Sequence, residues 1–154
     1  MPRYLRPKVT GASVFFTVNL AERGSDLLLS EVAALRDAVR VTRQERQFGI
    51  DAWVVLPDRL NCVWTLLAAD ADFSTRWHLI KARFSRGLAR GQMRASLARR
   101  RERGVWQRRF WEHHIRDQAD YDAHVRYCWI NPLKHGFVEN ATDWPWSSVH
   151  RNLR

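Results

Sequence analysis

Acidic residues are few in this chain, cysteine is scarcer still, and no long apolar run occurs. The 16 Asp and Glu face 26 Lys and Arg, a formal net charge of +10. The field of such a molecule favours a polyanionic partner, nucleic acid or an anionic surface. No apolar stretch approaches the roughly 20 residues that cross a bilayer, and Met1 to Lys8 has no signal-peptide core. The sequence therefore reads as a soluble cytoplasmic protein without a membrane partner, nucleoid-associated if its polyanion is DNA. The two cysteines, Cys62 and Cys128, are far apart in apolar surroundings, which suits buried thiols better than a zinc knuckle, a redox motif or a disulfide. Internal repeats and low-complexity tracts are absent as well.

What remains is 154 residues with 45% apolar content, enough for one domain with a real core. That domain covers 1–154, with a basic arm over 1–12 and a tail over 140–154. Eight tryptophans serve either to pack a core or to stack on unpaired bases, and the core is the commoner use.

Val14 to Leu20 is a short branched and aromatic run that predicts a strand. Leu28, Val32, Leu35 and Val39 share one face of a helix running from Ser25 to about Gln44. Phe48 to Leu56 and Leu60 to Leu67 flank Pro57-Asp58 and predict two antiparallel strands joined by a tight turn. Beyond Asp72, the residues Trp77, Ile80, Phe84 and Leu88 stripe a helix whose adjacent edge carries Arg83, Arg86, Arg90 and Arg94. Residues 76–109 hold twelve Arg or Lys and one acidic residue, Glu102, which points to phosphate contact. Trp106 to Ile115 predicts a further strand, and Asp117 can cap a last helix ending at Pro132. The order strand, helix, strand, strand, helix, strand, helix matches an α+β ferredoxin-like antiparallel sheet, with helices on one face plus an extra C-terminal helix.

In that last helix, Asp120, His124, Tyr127 and Asn131 are spaced four, three and four, so their side chains share one face. A tyrosine near a basic partner can act as a nucleophile, and an asparagine one turn on can offer oxygen to a metal. A solvated polar face has the same spacing. His113 and His114, adjacent on a strand, must point to opposite faces, so at most one reaches any common site.

The stretch from Asp120 through Tyr127-Cys128-Trp129-Ile130-Asn131-Pro132-Leu133-Lys134-His135-Gly136 to Val138 resembles the signature helix and turn of the REP-associated tyrosine transposases. That family is a branch of the single-tyrosine HUH endonucleases. Further blocks agree in order: Phe15 to Leu20, Ile50 to Asp58, Trp106 to His113, Ile115 to Asp117, and Asp143-Trp144-Pro145 with Ser147-Ser148. The resemblance implies a ferredoxin-like nuclease domain, monomeric by analogy, that recognises single-stranded DNA hairpins of repetitive extragenic palindromes and cuts and rejoins near them. It implies Tyr127 as the nucleophile, leaving a 5′ phosphotyrosine link and a free 3′ hydroxyl. Asn131 matches a position that helps to hold Mg²⁺ or Mn²⁺, and base reading by the N-terminal arm makes Arg3, Arg6 and Lys8 candidates.

At the start of the strand after Pro57-Asp58 the family carries His-x-His, and this chain carries Arg59-Leu60-Asn61. Guanidinium cannot coordinate a cation, and Asn61 offers at best one neutral oxygen. Asn61 and Asn131 alone would hold a hard cation poorly, so no bound cofactor is expected here. Three readings follow. The chain binds hairpins and is impaired in metal-dependent cleavage, which is the leading one. Alternatively Arg59 stands beside the phosphate as a fixed charge and Tyr127 still cuts, or His113, His114 or His124 rebuild a displaced metal site. Lys81, Arg83, Arg86, Arg90, Arg108, Arg109, Lys134 and His135 are the expected DNA contacts. A separate class of function is an RNA-binding ferredoxin-like module, although no glycine-and-aromatic RNP run is present.

Overall fold

A computed structural model describes residues 9–89 and 104–153. Arg3, Arg6, Lys8, Arg90, Arg94 and the cationic peak Arg99–Arg103 lie outside the described residues. Within them the chain forms strands β1 (Ser13–Asn19), β2 (Gly49–Val55), β3 (Arg59–Thr65) and β4 (Trp111–His114). The helices are α1 (Leu27–Ser30), α2 (Val32–Glu45), α3 (Phe73–Ala89) and α4 (Gln118–Lys134). The strands make one antiparallel sheet in the order β2-β3-β1-β4, the ferredoxin-like arrangement read from the sequence.

β1 carries apolar residues on both of its faces because both are covered. Val14, Phe16, Val18 and Leu20 point to one side, where Leu60, Cys62 and Trp64 of β3 join them against Leu35 and Val39 of α2 and Trp77, Ile80 and Phe84 of α3. Trp64 and Trp77 stack there with centroids 4.3 Å apart. Phe15 points the other way and joins Ala52, Val54 and Val63 under Val125 and Cys128 of α4 and Trp144 of the tail. The extra helix thus covers the sheet face opposite α2 and α3. Both cysteines are free and buried, and burial pushes the Cys128 thiol up to about 12.

Four local departures from the sequence reading have physical causes. The first helix breaks at Glu31 (φ −115°, ψ 32°), where α1 is pinned by the Leu28 N–H to Pro57 O, 3.1 Å. The fourth strand is shorter than Trp106–Ile115, because Phe110 turns into the core against Phe16 and Trp77. α4 runs through Pro132 to Lys134; it stops where Gly136 adopts φ 73°, the left-handed position that glycine accepts at a helix end. The tail is part of the fold: Trp144 Nε1 donates to Val55 O at 2.9 Å, and Val55 N donates to Trp146 O at 2.9 Å. Ser148 Oγ accepts from Trp53 N. These bonds satisfy part of the edge that β2 would otherwise leave open.

Candidate active site

α4 begins where the extended Asp117 accepts a hydrogen bond from Asp120 N, 2.8 Å, a side-chain cap that fixes the first turn. The stripe Asp120, His124, Tyr127 and Asn131 then faces the sheet. His124 lies against the Phe15 ring at 4.9 Å, and Tyr127 meets the same ring edge-on at 5.7 Å. Tyr127 is half-buried, with Lys134 Nζ 5.4 Å from its ring centroid. Asn131 is only 1% exposed, and its Oδ1 and Nδ2 have no hydrogen-bond partner among the described residues. A buried amide left this way costs about 1–3 kcal/mol, and such groups call for a functional explanation.

The two histidines of β4 part as strand alternation requires. His114 turns to the α3 face and meets Phe73 at 5.7 Å. His113 faces α4, where its Nε2 lies 2.8 Å from Asp120 Oδ2 and its ring stacks on His124 at 4.5 Å. Asp120 Oδ2 also accepts from the Arg116 backbone N–H at 2.9 Å. That bond and the His113 contact lower the Asp120 carboxyl to about 2.

At the other end of the stripe, Arg59 Nη2 donates to His135 Nε2 at 2.5 Å, joining two residues the sequence offered separately. Partial desolvation, helped by the Arg59 and Lys134 charges, lowers the His135 pKa. Asn61 is buried, and its Oδ1 accepts from Thr17 Oγ1 at 2.7 Å. The position expected to hold a divalent ion therefore presents a cation at Arg59, an already engaged oxygen at Asn61 and one neutral amide at Asn131. Hard cations want several anionic or imidazole donors, and these three residues do not fit one.

The expected DNA contacts separate into engaged and open groups. Arg76, within the basic segment, is buried and bonds to the carbonyls of Arg46, Gln47 and Asp72 and to the Asp70 carboxylate. It is structural, because three backbone acceptors and one carboxylate converge on its fork. Arg83 donates to Thr42 Oγ1 at 2.9 Å and pairs with Glu45 at 2.5 Å. Lys81 donates to Gln107 O at 3.1 Å. α3 lies in the layer opposite Tyr127, so its cations and the tyrosine occupy different faces of the sheet. Arg86, Arg108, Arg109 and Lys134 are exposed, and His135, also exposed, is engaged by Arg59.

Sequence reasoning missed Trp111. Strand register sets it beside Thr17, whose other neighbour is Asn61, on the Tyr127 face and 64% exposed. A tryptophan two residues before His113 at the sheet edge was the available signal.

No family model matches the chain, but relatives do. It is 43% identical over 153 residues to the REP-associated tyrosine transposase of Escherichia coli K12, covering 99% of this chain and 86% of that protein. The chain belongs to the REP-associated tyrosine transposases. A Haemophilus influenzae protein assigned to the same family is 36% identical over 156 residues, spanning 89% of its length. Among solved structures, a REP-associated tyrosine transposase bound to a REP hairpin superposes with a TM-score of 0.87 at 43% identity, covering 99% of this chain and 86% of that one. A transposase-like protein from Deinococcus radiodurans, 12% identical with a TM-score of 0.51 over 88% of this chain and 98% of that one, shares the fold alone. No helix among the described residues of this transposase-family chain is long and apolar enough to cross a membrane.

Proposed function

We propose that this REP-associated transposase relative binds single-stranded DNA hairpins of the REP type and that its metal-dependent cleavage is impaired. The observation that carries the reading is the hairpin-bound relative, 43% identical across 99% of this chain, together with a net charge of +10. Phosphate contacts by exposed cations supply affinity and position the strand. Arg108, Arg109, Lys134 and Trp111, all exposed, are the residues we assign to that contact. Association is with DNA as a monomer, at the nucleoid.

In the cleavage step expected of this family, Tyr127 Oη attacks the scissile phosphorus and loses its proton. The P–O3′ bond breaks, and the 3′ oxygen leaves as a hydroxyl after taking up a proton. A divalent ion, where bound, polarises the phosphate oxygens. Here Arg59 and Asn61 stand where imidazoles would hold that ion, and Asn61 Oδ1 is taken by Thr17. A second reading has Tyr127 cutting with Arg59 as the fixed charge. Its support is that Arg59 bonds to the His135 ring, an acceptor that leaves the guanidinium charge in place.

Competition between a labelled REP-type DNA hairpin and its RNA counterpart tests the binding reading. Preference for the DNA hairpin is expected. Equal or stronger binding of the RNA would replace it with an RNA-binding function.

A further inference from the structure

His113, Asp120 and His124 form the one group of three ligating side chains among the described residues, apart from the Arg59–Asn61 position. One ligand atom from each lies within 4.8 Å of the others. The fold assembles them from two elements. Strand alternation sends His113 to the α4 face, and the Asp117 cap fixes Asp120 in the first turn of α4. His124 follows one turn later with its Nδ1 2.8 Å from the Asp120 carbonyl oxygen and 3.1 Å from Asp120 Oδ1. All three side chains are half-buried.

We propose that His113, Asp120 and His124 bind one divalent transition-metal ion beside Tyr127. Two imidazoles and a carboxylate are a donor set that suits Zn²⁺ or Co²⁺ and disfavours Mg²⁺. Ligand atoms around one tetrahedral ion stand roughly 3–3.5 Å apart, from bond lengths of about 2.0–2.2 Å. The 4.8 Å limit of this group closes to that with small side-chain rotations. The ion would replace the hydrogen bond between His113 and Asp120, and, with His124 ligating through Nδ1, that nitrogen's bond to the Asp120 carbonyl oxygen; the displaced protons leave to solvent or, on His124, move to Nε2. The Arg116 N–H on Asp120 Oδ2 is retained as an outer contact that orients the carboxylate. Three protein ligands leave a coordination position open.

The site differs from the one the family resemblance implies. His124 and Tyr127 share the Phe15 ring, so the ion sits about one helical turn from the tyrosine. It lies toward β4, away from the Arg59–His135 pair at the other end of the stripe. The ion also ties the start of α4 to the β4 edge. This inference rests on the geometry of three side chains and stands whether or not the chain binds hairpins.

The test uses the full chain, stripped with a chelator and titrated with Co²⁺ by visible absorption and with Zn²⁺ by equilibrium dialysis. One equivalent per chain is expected, at least tenfold weakened in Asp120→Asn and His113→Gln and unchanged in Asn131→Ala, with excess Mg²⁺ failing to compete. Circular dichroism of each variant confirms its fold, and a Zn²⁺-dependent rise in the wild-type melting temperature gives a readout that needs no variant. Absence of saturable binding to the wild type would overturn the proposal. So would binding that survives both substitutions, or that disappears with Asn131→Ala.

Discussion

Arg76 separates a structural cation from a DNA contact. The residue is 3% exposed, and its guanidinium donates to Arg46 O and Gln47 O at 3.0 Å each and to Asp72 O at 2.7 Å, and pairs with Asp70. These acceptors belong to the end of α2 and the approach to α3, so one side chain bridges two connections. Arg76→Met keeps much of the volume and removes every donor. Removing a buried charged fork that makes four hydrogen bonds at once costs about 3–5 kcal/mol, at about 1.5–3 kcal/mol for a bond to a charged group, discounted because the acceptors are partly solvated. At about 2–4 °C per kcal/mol for a domain of this size, the melting temperature should fall by about 6–20 °C. Thermal unfolding followed by circular dichroism measures the fall. The slope of log affinity against log salt for a DNA hairpin, measured on the folded variant, should be that of the wild type. A melting temperature unchanged within error, with the salt slope reduced by about one, would refute the structural assignment.

Arg108→Ala with Arg109→Ala should flatten the salt slope by up to about two, one per phosphate contact, whereas Arg83→Ala should leave it unchanged because Glu45 and Thr42 already hold that guanidinium. Trp111→Ala should weaken single-strand binding by about 1–3 kcal/mol, the worth of one base stacked on an aromatic ring, and Trp111→Phe should recover most of it in a fluorescence anisotropy titration. Asp120 titrates lower in the folded chain, at about 2, than its ordinary 3.8. The unfolded chain therefore binds the proton first, and the stabilisation is complete above about pH 4 and lost as pH falls toward 2. Asp120→Asn should remove that portion of the acid-unfolding profile, and an unchanged profile would show the contacts with His113 and Arg116 to be without effect on stability.

Much of the fold was legible because periodicity reports burial. The runs at Val14 and Ile50, the Leu35 and Val39 stripe and the Asp117 cap all became the elements they suggested. The spacing of Asp120, His124, Tyr127 and Asn131 likewise gave the shared face, and alternation separated His113 from His114. Partners across the chain were not legible. The charge count around Arg76 and Arg83 could not show that Glu45, Asp70 and backbone carbonyls occupy them. The register that exposes Trp111 beside Thr17 depends on where β4 starts, and Phe110 delays that start by entering the core. The contact between Arg59 and His135 needed α4 to continue through Pro132, which a rule about proline in helices argues against.

The proposed function has the chain grip a hairpin without cutting it by means of a hard metal ion. Incubation of the purified protein with labelled single-stranded hairpin DNA, with and without Mg²⁺ or Mn²⁺ and beside Tyr127→Phe, tests it in one gel experiment with native and denaturing lanes. A complex is expected in the native lanes for both proteins, with no covalent adduct in the denaturing lanes under any metal condition. A native gel without complex would contradict the binding half, and an adduct that requires both Tyr127 and Mg²⁺ or Mn²⁺ would contradict the other.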